Sequence, residues 1–183
     1  MRTSILYTAI SLILLATVPA VAQEASDSPE TQAVETVEEG QPRYLSAMER
    51  ELTAMRVRGA SCERTDEQRG TCVFTALGVS TGREFTVRMV YSDRTDTIYV
   101  HVERFLEAPA DADSTNALLR RLMELNWTLL LGKFEWDPTD GEVRLAMVLN
   151  TDSNFDRRAF RSAVRAIGQL ADRYHSELAR LVR

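Results

Sequence analysis

Two stretches alternate so strictly that they fix the centre of whatever this chain folds into. Phe85, Val87, Met89 and Tyr91 fall on one side of an extended backbone, against Thr86 and Arg88 on the other; Ile98, Val100 and Val102 likewise oppose Tyr99, His101 and Glu103. The Ser92-Asp93-Arg94 turn between them predicts a hairpin of residues 84–91 and 97–103. Strands patterned this way bury one face only, so amphipathic elements elsewhere in the chain must cover that face.

Such elements are present. Leu45, Met48, Leu52 and Met55 recur at spacings of three and four and predict a helix over residues 44–56, ended by Gly59. Two further strands are expected around residues 58–62 and 71–77, separated by the polar stretch 63–70. After a loop through Pro109 and Asp113, Ser114 is the expected N-cap of a second helix with Leu118, Leu122 and Leu125 as its buried stripe. A second hairpin, residues 129–136 and 142–150, turns at Asp137-Pro138-Thr139-Asp140-Gly141, and Val143, Leu145, Met147 and Leu149 form its core face. Phe160, Ala163, Ile167, Leu170, Tyr174, Leu178 and Leu181 then draw a long terminal helix from about residue 155, with Ser153 or Asn154 as cap. The order α-ββββ-α-ββ-α defines an α+β fold, a largely antiparallel sheet packed by helices.

Ahead of this domain the composition changes twice. Arg2, the apolar run 5–18 and the Ala20-Val21-Ala22 ending form a signal peptide over 1–22, with no cysteine after it to take a lipid. Residues 23–42 carry Glu24, Asp27, Glu30, Glu35, Glu38 and Glu39 with no basic or aromatic side chain, the composition of a disordered linker. The domain proper is residues 43–183, where 21 acids meet 21 bases, all but Lys133 arginine, a bias read as compositional. A chain of net charge −5 is a poor partner for nucleic acid, and no stretch after the leader is long enough to cross a bilayer. Export places the chain in the periplasm or outside the cell, where Cys62 and Cys72, flanking a polar segment, are expected to form a disulfide across a hairpin.

Catalytic and metal chemistry find little support. His101 and His175 lie far apart without neighbouring ligands and are expected to be solvated surface residues. Asp137, Asp140 and Glu142 lack the alternating oxygens of a calcium loop and fit a hairpin turn, while Asp111 and Asp113 suit a loop and a helix start. There is no phosphate loop, no nucleophile elbow and no cysteine with an evident histidine partner. No cofactor or metal is expected, and the chain is not expected to be an enzyme. Asn126-Trp127-Thr128 matches a glycosylation acceptor by three residues alone, and Trp127 and Trp136 suit core positions better than a ligand groove.

The stretch from Asn116 to Asn126, then Gly132-Lys133-Phe134-Glu135-Trp136, Asp140-Gly141-Glu142-Val143 and the Leu170-Ala171-Asp172-Arg173-Tyr174 helix, resembles the YbjN family of bacterial sensory transduction regulators. The resemblance covers roughly residues 44–181. It implies a fold like that of type III secretion chaperones, a noncatalytic protein-binding or regulatory role in the envelope, and a protein partner or a second copy of the chain. The face expected to carry that contact is Leu119, Met123 and Trp127, beside the buried stripe of the second helix. The rival expectation is a small periplasmic hydrolase or lyase with a dispersed site.

Overall fold

The computed structural model describes residues 40–152 and 154–182. The expected signal peptide, residues 1–22, and all but the last three residues of the expected linker lie outside them. The central hairpin pairs Val87 with Val102, Met89 with Val100 and Tyr91 with Ile98, so like faces like across the two strands. It consists of β3 (Glu84–Ser92) and β4 (Thr97–Glu107). Around it are β1 (Arg58–Arg64), β2 (Arg69–Leu77), β5 (Lys133–Trp136) and β6 (Glu142–Asn150), giving an antiparallel sheet in the order β1-β2-β3-β4-β6-β5. Helices α1 (Leu45–Ala54), α2 (Asp113–Thr128) and α3 (Arg157–Leu178) complete the α+β fold.

One face of the sheet is the core face. Cys72, Phe74, Val87, Met89, Tyr91, Val100, Val102 and Leu145 are all buried there. Alpha-helix α1 is only ten residues long, too short to persist alone, and is held by Met48 and Leu52, both fully buried. Burial of two such side chains contributes about 1.5–3 kcal/mol each, enough to offset the weak propensity of so short a helix. Glu51, also buried, accepts from Arg161 of α3 and ties the two helices together.

Several boundaries differ from the sequence expectation, each for a local reason. Helix α1 ends at Ala54 with Met55 as its cap, and Arg56 rather than Gly59 turns the chain out of it: Val57 N–H reaches Leu52 C=O at 3.3 Å and Arg56 N–H reaches Thr53 C=O at 2.9 Å, with Arg56 left-handed at φ 54°. Gly59 lies inside β1, beside a register shift between Arg58 and Ser61. Strand β4 runs on to Glu107 because a bulge at Arg104, φ 45°, changes the alternation so that Phe105 and Leu106 are both buried. Ser114 is not the N-cap of α2; Ala112 holds that place without a side-chain bond, while Thr115 Oγ1 donates to Pro109 C=O at 2.7 Å. Asp156 rather than Asn154 caps α3, accepting from Ala159 N–H at 2.9 Å. Residues 129–132 form no strand.

Candidate functional site

The end of α2 and the loop after it form an apolar surface. Leu118, Leu122 and Leu125 point into the core as the spacing requires, which leaves the neighbouring row outward. Met123 is 69% exposed and Trp127 90% exposed. Leu119, the third member of the expected face, is half-buried against the core and forms the base of the row. Past the helix, Leu130 is 99% exposed and Leu131 also faces solvent, so the apolar surface continues into a segment that apolarity alone had placed in a strand. Asn126 explains why the chain turns there: its side-chain amide donates to Phe134 C=O at 3.0 Å and its carbonyl accepts from Phe134 N–H at 2.7 Å. The side chain of the apparent glycosylation acceptor thus serves as a substitute strand for β5.

Trp136 is half-buried, with its indole N–H donated to Ala108 C=O at 2.8 Å, a packing role. The turn at Asp137 and Asp140 behaves as expected: Asp137 accepts from Thr139 N–H at 2.8 Å and Asp140 from Glu142 N–H at 2.9 Å. Gly141, φ 73°, sits against Ala108, whose backbone a Cβ would meet at 2.9 Å.

The uncovered face of the sheet carries a polar network. Tyr99 donates to Glu135, which also pairs with Lys133 at 2.8 Å; Arg144 pairs with Glu142 and Arg88 with Glu103. Burial, then the bond to Glu135, pushes the Tyr99 hydroxyl up to about 12. His101 lies among these groups. It is only 6% exposed, not solvated as expected, because the Tyr99 ring packs against it, tilted, at 4.9 Å, and Arg144 and Arg88 lie near it. Its Nδ1 has no hydrogen-bond partner, and burial followed by the Arg144 charge lowers its pKa. His175 departs from expectation too: it packs between Phe85 and Phe105, at 5.6 and 5.3 Å, and burial lowers its pKa as well.

Cys62 and Cys72 form the expected disulfide, joining β1 to β2 at directly paired positions. Among the described residues neither histidine hydrogen-bonds a serine, threonine or cysteine, and no three His, Cys, Asp or Glu side chains gather as a metal ion requires. No described helix is long and apolar enough to cross a membrane.

Two grooves border α3. One, about 490 Å³, lies between the Leu129–Leu131 segment and Ala166, Leu170 and Tyr174. The other, about 1040 Å³, lies between α3 and β2. Helix α3 packs mainly on β4 and β6 and α1 mainly on β1, and the second groove lies along β2 between them. Sequence reading missed it, since a gap between two elements has no signature in either one.

Chemically, these surfaces offer apolar contact and charge on an antiparallel α+β sheet. The chain matches the YbjN family model, described as "Putative bacterial sensory transduction regulator", over residues 46–180. It belongs to the YbjN family. Among solved structures, the chain is similar to one described as the crystal structure of the ExsC-ExsE complex, with a TM-score of 0.49 and 17% identity, covering 73% of this chain and 95% of that one. No curated protein matches the chain.

Proposed function

We propose that the chain is an exported, noncatalytic protein-binding module with a regulatory role in the bacterial envelope. It engages a protein partner, or a second copy of itself, through Met123 and Trp127 with Leu119 at their base. One observation carries the reading: a tryptophan 90% exposed beside an exposed methionine and a fully exposed leucine is apolar area that a monomer in water has reason to cover. The leader pattern of residues 1–22 and the Cys62–Cys72 disulfide support export to an oxidising compartment.

Met123→Asp tests the face. The position is exposed, so the variant keeps the wild-type circular dichroism and melting temperature. Light scattering on both proteins, together with recovery of a stoichiometric partner from an envelope fraction, is expected to show association in the wild type weakened at least tenfold in the variant. If both readouts are the same for the two proteins, the assignment of this face fails.

A further inference from the structure

We infer that the outer surface of α3, with the groove beside it, is a docking site for an acidic amphipathic helical segment of a protein partner. This site uses none of Leu119, Met123 and Trp127 of the α2 face and rests on different observations, although Gln169 and Arg173 also line the smaller groove beside Leu129–Leu131. Arg158, Arg165 and Arg173 share one stripe of α3 with Ser162 and Gln169, at spacings of three and four, and all five are exposed; Arg180 continues the line just past the helix. The other cations and acids of the helix are engaged elsewhere. Arg157 and Arg161 both face Glu51, Glu177 pairs with Arg121 at 2.6 Å, and Asp172, which lines the groove, has its carboxylate taken up by Ser80 N–H at 2.8 Å and Thr81 Oγ1 at 2.6 Å. Among the described residues no carboxylate pairs with the four stripe arginines; Arg173 instead lies over the Tyr174 ring. Acids and bases balance over residues 43–183, so this positive line is a local accumulation.

The groove supplies the apolar half of the site. Val57, Phe74, Ala76 and Val164 line it, Arg165 and Arg173 stand on its rim, and Val79, 96% exposed, marks its mouth. At Gly168 a Cβ would lie 3.1 Å from the Cβ of Ala76, so the missing side chain is what allows the helix to approach the sheet there. Guanidinium groups accept carboxylates in paired, charge-assisted bonds. Arg165 and Arg173, eight residues apart, are separated by about 12 Å along the axis. A helix carrying glutamates at a two-turn spacing reaches both, and the apolar positions three or four residues from those glutamates enter the groove. A purely ionic ligand would leave the groove empty, and a purely apolar one would leave the arginines unanswered.

The test uses the full chain and a fluorescein-labelled 16-residue helical peptide with glutamates eight residues apart and leucines three and four residues from them, along one face, read by anisotropy. The wild type is expected to bind it, more weakly at 300 mM than at 50 mM salt. The Arg165→Glu/Arg173→Glu variant is expected to lose at least tenfold in affinity, and Val79→Asp severalfold; all three positions are exposed and leave the fold intact. Met123→Asp is expected to bind as the wild type does, which separates this site from the α2 face. The inference is overturned if the peptide does not bind, if the double charge reversal binds as well as the wild type, if Met123→Asp abolishes binding, or if a lysine-for-glutamate peptide binds equally. It is also overturned if vesicles containing phosphatidylglycerol compete for the stripe arginines more strongly than the peptide does.

Discussion

Arg56 shows how much one residue can decide. It adopts a left-handed conformation that L side chains resist, because that turn lets its own N–H reach Thr53 C=O and the following Val57 N–H reach Leu52 C=O as the chain leaves α1. Glycine is the residue that this position favours, and the chain has its nearby glycine three residues later, inside β1, where φ is also positive. Arg56→Gly is therefore expected to stabilise the protein by about 1 kcal/mol, the strain relieved exceeding the added freedom of the unfolded chain. Urea denaturation of the two proteins measures it, and a variant less stable than the wild type contradicts the account. His101 teaches a related lesson. Alternation correctly placed it on the polar face of β4, but that face is roofed by the side chains of Tyr99 and Arg144, and a strand pattern contains no information about its neighbours' reach.

At the scale of elements, the disulfide has the clearest consequence. Edge strand β1 is largely exposed and attaches to the sheet through β2 alone, so the bond between Cys62 and Cys72 fixes the register of a strand that little core packing holds. Closing a loop of sequence separation 10 restricts the unfolded chain by roughly 2–3 kcal/mol. Cys62→Ser/Cys72→Ser is expected to lose about that much stability in denaturant titrations, and backbone amides of β1 to exchange faster than those of β3; equal stability of the two proteins would refute it. The elements themselves were largely legible. Alternation located β3, β4 and β6, and three-four spacing located all three helices, because each pattern reports a single element facing one core. What failed were the ends. Leu129, Leu130 and Leu131 look like the start of a strand, yet only a tertiary partner could hold them extended, and Asn126 supplies that partner to Phe134 instead. The arginines of α3 read in the sequence only as a compositional bias, and they form a stripe with meaning only when Glu51, Glu177 and Asp172 are seen to be committed elsewhere.

The whole molecule places a neutral histidine on each side of the sheet, and that arrangement predicts how stability responds to pH. On the uncovered face His101 is surrounded by Tyr99, Arg144, Arg88, Glu103 and Glu142; burial is the largest influence on it, Arg144 and Arg88 disfavour its protonation, and the two glutamates oppose them without prevailing. On the core face His175 packs tilted against Phe85 and edge-on to Phe105, with the Arg83 charge adding to burial. Both pKa values lie below the ordinary 6.5. The unfolded chain therefore binds more protons than the folded one once pH falls below about 6.5, so the contribution of the neutral rings is complete above that pH and is lost on acidification toward the folded-state values. The carboxylates held low by hydrogen bonds, Asp172 and Glu142 among them, act in the same direction but only below about pH 4.5, where free carboxylates begin to protonate. As pH falls, the histidine window opens before the carboxylate one. The melting temperature is accordingly expected to be flat from pH 8 to 7 and to fall between pH 6.5 and 5. In His101→Gln/His175→Gln that fall should flatten whatever the variant's absolute stability, whereas the steep drop below pH 4.5 should remain. A slope between pH 6.5 and 5 that is the same in both proteins would mean that neither ring is held neutral by the fold.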